Sequence, residues 1–111
     1  MTHDDVLAYC LAKPGAWRDE PWDGAVVAKV GPKIFAFTGT DGVGLKLGRT
    51  REEADEWLHR YPHDASVSPY IGRFGWNVLR FGGEIPDDEV FEAIDQSYDA
   101  VVASLPRKAR P

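Results

Sequence analysis

Three turn signals, Asp23-Gly24, Gly31-Pro32 and Asp41-Gly42, follow one another so closely that residues 16–48 have room only for short strands joined by hairpins. Asp-Gly pairs tolerate the positive φ angles of tight hairpin turns, and Gly-Pro breaks any regular element. The pieces between them predict strands at Val26–Val30, Lys33–Thr38 and Val43–Leu47, with a weaker strand at Ala16–Trp22 closed by Pro21. Hairpins this short pair their strands antiparallel.

Helices flank this meander. Thr2 with Asp5 forms a weak capping box ahead of Val6, Leu7, Cys10 and Leu11, which predicts a helix at about 3–12, stopped by Lys13-Pro14-Gly15. Thr50-Arg51-Glu52-Glu53 is a full capping box and opens a second helix at about 51–61 on Ala54, Trp57, Leu58 and Tyr61. Residues 62–75, with two prolines, two glycines and two serines, read as a loop, and Trp76–Phe81 as a strand. Pro86 and the acidic Asp87, Asp88 and Glu89 start a third helix, whose Val90, Ile94, Tyr98, Val101 and Leu105 recur at steps of four and three. The fold class expected is α+β: an antiparallel sheet of about five strands with helices packed on one face, in the order α-β-β-β-β-α-β-α. One domain is expected over 1–106, with a short basic tail at 107–111.

A chain of 111 residues buries enough surface to fold without metal or disulfide. Its single cysteine, Cys10, cannot pair within the chain and points to a reducing compartment. The N-terminus is polar and acidic, and no apolar run approaches membrane-spanning length, so a cytoplasmic location without a membrane partner is expected. A net charge of −5 argues against a generally sticky DNA binder, while screening leaves room for a local basic patch.

No residues fall into a catalytic or metal-binding constellation. His59 and His63 are four apart, but Pro62 breaks the helix between them and no third ligand is near. Gly39, Gly42 and Gly44 precede a strand, where a phosphate loop would need a helix, so hairpin punctuation accounts for them. Cys10 falls on the apolar side of its helix, as an inert core thiol does. No enzyme activity and no cofactor are expected.

Alternation along the strands gives a sharper expectation. If Val26, Ala28 and Val30, then Val43, Leu45 and Leu47, then Leu79 and Phe81 face the helices, the opposite face carries Lys29, Lys46, Trp76, Val78 and Arg80. The phase of residues 33–37 stays open. One choice adds Lys33, Phe35 and Phe37 to that outer face; the other leaves Phe35 and Phe37 in the core.

Several local patterns then line up with a known family. Tyr9-Cys10-Leu11-Ala12-Lys13-Pro14-Gly15-Ala16, Lys29-Val30-Gly31-Pro32-Lys33-Ile34-Phe35-Ala36, Leu45-Lys46-Leu47, Trp76-Asn77-Val78 and Ser97-Tyr98-Asp99-Ala100-Val101-Val102 with Leu105-Pro106 keep the order and spacing of the MmcQ/YjbR family, which the chain resembles over nearly its whole length. The resemblance implies a CyaY-like fold and DNA binding through strands and hairpins arranged as a double wing. It implies no defined enzymatic activity. Members often carry a Lys-Lys-His-like stretch before the tryptophan, where this chain has Arg73-Phe74-Gly75-Trp76. That departure favours a less electrostatic partner at this loop.

Two functions are therefore expected. The first is a DNA-binding module in which Lys29, Lys33, Lys46, Arg49, Arg73 and Arg80 meet phosphates and Trp76 stacks. The second is a domain that binds a protein or a small aromatic ligand, suggested by four Trp, four Tyr and five Phe in an acidic chain.

Overall fold

The computed structural model describes residues 1–111. Three helices, α1 (His3–Leu11), α2 (Arg51–Arg60) and α3 (Asp87–Ala103), lie on one face of a six-stranded sheet. The strands are β1 (Ala16–Trp22), β2 (Ala25–Val30), β3 (Lys33–Thr38), β4 (Gly42–Lys46), β5 (Ala65–Val67) and β6 (Trp76–Arg80), in the spatial order β1-β2-β3-β4-β6-β5. Every pairing is antiparallel. The α+β class stands as expected, with one strand more.

The extra strand, β5, falls within the span expected to be a loop. Its three residues carry no strand pattern of their own, and their pairing with β6 makes the strand. β1 also runs through Pro21 to Trp22, because an edge strand needs no amide donor on its open side. The short basic segment at 107–111 packs back on α3. Arg107–Ala109 form a 3₁₀ turn, and Arg110 donates to the carbonyls of Ala103 and Leu105 at 2.9 and 3.0 Å, capping the end of α3.

The core lies between the helices and the sheet. α3 buries Val90, Ala93, Ile94, Ser97, Tyr98 and Val101, its apolar stripe, against β2, β3 and β4. Phe35, Leu45, Leu47 and Leu79 oppose it from the sheet, wholly buried, and the Phe35 ring meets Tyr98 edge-on at 5.3 Å. α1 is joined to α3 by Lys13, which pairs with Asp95, while the Tyr9 hydroxyl donates to the same carboxylate at 2.8 Å. Burial pulls the Lys13 pKa down, but Asp95, Tyr9 and Asp99 outweigh it and leave the ammonium above its ordinary range.

A register shift in the β2–β3 pair decides the open phase of residues 33–37. Ala28 pairs with Ala36 and the next residue, Lys29, with Ile34, so β3 carries one extra residue, Phe35. The bulge sends Phe35 and Ala36 both into the core and turns Phe37 to the helix-free face. Lys33, opposite Val30, goes to the helix side. The Ser97 hydroxyl sits beside this bulge, donating to the Phe35 carbonyl at 2.6 Å and accepting from the Lys46 amide at 2.8 Å.

Candidate functional site on the helix-free sheet face

With all helices on one side, the other face of the sheet is open. Register fixes what it displays: Lys46 stands opposite Trp76, Gly44 opposite Val78 and Gly42 opposite Arg80, with Phe37 beside Gly44. Phe37 and Trp76 meet edge-on at 5.4 Å. Lys29, Lys46, Trp76, Val78 and Arg80 thus share the face that strand alternation assigns them.

The structure does not gather the expected cations into one patch. The Lys29 ammonium is 2.7 Å from the Asp19 carboxylate and 5.1 Å from the Trp17 ring, and its side chain is only 18% exposed. The Lys29 hydrogen bond also holds the Asp19 carboxyl below its ordinary range. Lys33 is on the opposite side, donating to the Ser104 hydroxyl at the end of α3. Arg49 lies beyond the end of β4 and is tied to Glu53, by its guanidinium at 3.4 Å and its amide at 2.7 Å. Lys46 donates to the Phe74 carbonyl at 2.7 Å, and burial lowers its pKa. Arg73 rides on the loop before β6, its guanidinium 4.7 Å above the Phe74 ring. Arg80 is exposed and has no ion-pair partner among the carboxylates.

A cleft of about 410 Å³ occupies the middle of this face. Gly42 and Gly44 leave its floor bare between the side chains of Phe37 and Val78. Gly42 is required by the neighbouring backbone, and Gly44 is crowded by the Phe37 side chain. A Cβ at Gly42 would lie 2.7 Å from the Leu79 carbonyl oxygen, and one at Gly44 would lie 3.3 Å from the Phe37 Cβ. Pro69 and Ile71, from the loop between β5 and β6, form the wall.

Arg51 of α2 anchors that loop. Its guanidinium donates to the Gly72 and Trp76 carbonyls at 2.8 and 3.1 Å, pairs with Asp55 at 2.7 Å and binds the Asn77 side-chain oxygen. Asn77, wholly buried, completes the clamp by donating to the Ala54 carbonyl at 2.8 Å. Gly75, at φ 91°, turns the chain where it crosses the Gly48 backbone too closely for any side chain. At the tip, Tyr70 is 98% exposed.

Sequence reasoning missed the cleft, although the phase that turns Val43 and Leu45 inward also turns Gly42 and Gly44 outward. That bare stripe beside aromatic neighbours was its signal. No group of three or more His, Cys, Asp or Glu side chains converges as metal ligands do, and no helix is long and apolar enough to cross a membrane. Cys10 is buried in the core, and burial pushes its thiol up to about 12.

Comparison with known proteins places the chain among relatives. The YjbR family model matches residues 11–100. The uncharacterized protein YjbR of Escherichia coli (strain K12) is 31% identical over 116 aligned positions, covering 99% of this chain and 95% of that protein. The crystal structure of Deinococcus radiodurans protein DR2400, of the DUF419 domain family, superposes with a TM-score of 0.85 at 20% identity, over 97% of this chain and 84% of that one. A Pseudomonas syringae protein gives 0.70 at 16% identity, over 90% of this chain and 98% of its own. These two structures share the fold.

Proposed function

The chain belongs to the YjbR family, and on that footing we propose that it is a non-catalytic binding module that takes a ring-bearing anion on the helix-free face of its sheet. The observation that carries this is the cleft itself, an apolar trough of about 410 Å³ with Arg80 standing opposite its floor residue Gly42. Its volume is in the range of small-ligand sites, roughly 300–1,000 Å³. The walls of Phe37, Val78, Pro69 and Ile71 suit a flat apolar group. A guanidinium free of carboxylates suits a negative charge attached to that group.

Flat rings bearing anions come from two sources: small aromatic acids, and the bases and phosphates of single-stranded nucleic acid. Lys46, Arg73, Phe74 and Trp76 favour the second source, because they continue the alternation of cation and ring past the end of the cleft. With Lys29 paired to Asp19, Lys33 turned away and Arg49 set beyond the end of β4 beside Glu53, duplex DNA has few charges to meet on this face.

The test is a titration with 1-anilinonaphthalene-8-sulfonate, followed by fluorescence and by thermal shift, beside anisotropy of labelled oligo-dT and of a duplex at low and moderate salt. At about −0.3 kcal/mol per non-hydrogen atom, the sulfonate should bind with a Kd on the order of 10–100 µM. Val78→Glu, which puts a longer, negatively charged side chain over the floor, should abolish that binding. Oligo-dT that binds and competes with the sulfonate identifies nucleic acid as the source. Sulfonate binding alone identifies a small acid, and a duplex that binds more tightly than the single strand would overturn the reading.

A further inference from the structure

Tyr70 is the one residue other than glycine with a positive φ, 64°. The Ile71 amide closes back on the Pro69 carbonyl at 2.7 Å. The three residues therefore make a γ-turn with positive φ at its centre, the rare and strained form. A bulky side chain at such a position is held there at a cost that glycine would not incur.

The ring repays none of that cost within the fold. It is 98% exposed and enters none of the aromatic pairs of the chain. Pro69 and Ile71, on either side of it, line the cleft, and Arg51 holds the end of the turn through the Gly72 carbonyl at 2.8 Å. The turn thus holds an idle ring between two residues that line an apolar trough, on an anchored support.

We propose that Tyr70 is the contact residue that stacks on the flat ring of the cleft's occupant, so that it sets the preference for planar over chain-like anions. The inference rests on the cleft reading above and adds the residue that decides which anions are held. The turn fixes the backbone that carries the ring, so stacking costs only the side chain's own rotamer freedom.

The test uses the full chain and two anions, 1-anilinonaphthalene-8-sulfonate, which is flat, and decanesulfonate, which is not, both followed by isothermal titration. Tyr70→Gly should raise Tm by about 4 °C by relieving the turn. It should also weaken the naphthalene sulfonate about tenfold and leave decanesulfonate within about twofold. Tyr70→Phe should bind both as the wild type does. If Tyr70→Gly binds the flat anion undiminished while Val78→Glu loses both anions, the stacking role is wrong and the cleft reading stands. If Val78→Glu keeps both, or the wild type binds neither, both ideas fall. A lower Tm for Tyr70→Gly would remove the strain on which the proposal is built.

Discussion

The Ser97 hydroxyl takes the main-chain amide of Lys46 at 2.8 Å and gives its own proton to the Phe35 carbonyl at 2.6 Å. One side chain of α3 thereby satisfies the two backbone groups that the bulge in β3 leaves facing each other. Ser97→Ala should cost about 1–3 kcal/mol, the penalty of leaving such buried groups unpaired. Urea denaturation checks this. An unchanged midpoint would mean that the two strands close on each other without help.

Arg51 should matter more to the loop than to the core. Arg51→Lys keeps the charge but loses the fork that reaches Gly72, Trp76, Asp55 and Asn77 together. The expected result is a loss of about 1–3 kcal/mol. Amide exchange across residues 70–75 should rise at least about tenfold, while exchange in α3 should change little. Uniformly faster exchange would point to general destabilisation and against a local clamp.

Arg80 should discriminate by charge. Arg80→Gln should weaken 1-anilinonaphthalene-8-sulfonate about fivefold at low salt, with the difference shrinking in 0.5 M NaCl. It should leave the uncharged N-phenyl-1-naphthylamine unaffected. Equal losses for both probes would assign Arg80 a packing role at the cleft.

Cys10 should tie stability to alkaline pH. Burial raises its thiol to about 12 in the folded chain, whereas an unfolded thiol ionises near 8.5. Between these values the unfolded state has lost a proton that the folded state keeps. Stability therefore falls as pH rises through roughly 8.5, steepening toward a limit of about 1.4 kcal/mol per pH unit about one unit higher. Denaturation between pH 8 and 10 should show this slope, and Cys10→Ala should flatten it.

Much of this fold is legible locally. The Asp-Gly and Gly-Pro turns set the meander, and the spacing of Val90, Ile94, Tyr98 and Val101 sets α3. What stayed hidden depends on partners far along the chain. β5 exists because β6 pairs with it. The side to which Lys33 and Phe35 turn depends on a bulge whose backbone groups are met by Ser97, more than sixty residues on. Lys29 is on the expected face, but its charge is met by Asp19, a diagonal neighbour on the adjacent strand of the β1–β2 hairpin. The cleft needed both a stripe visible in the strand phase, Gly42 and Gly44, and a wall positioned by Arg51, which no spacing announces.

The floor of the cleft is main chain, and this limits how members with the same architecture can diverge. Enlarging Gly42 would drive a side chain into the neighbouring strand, so the base of the trough has almost no vocabulary of substitutions. Retuning toward a different guest falls to the segment from Ser68 to Ile71, where exchanges leave the sheet undisturbed. If the cleft binds as proposed, one rigid seat serves many guests, with a few loop positions choosing among them.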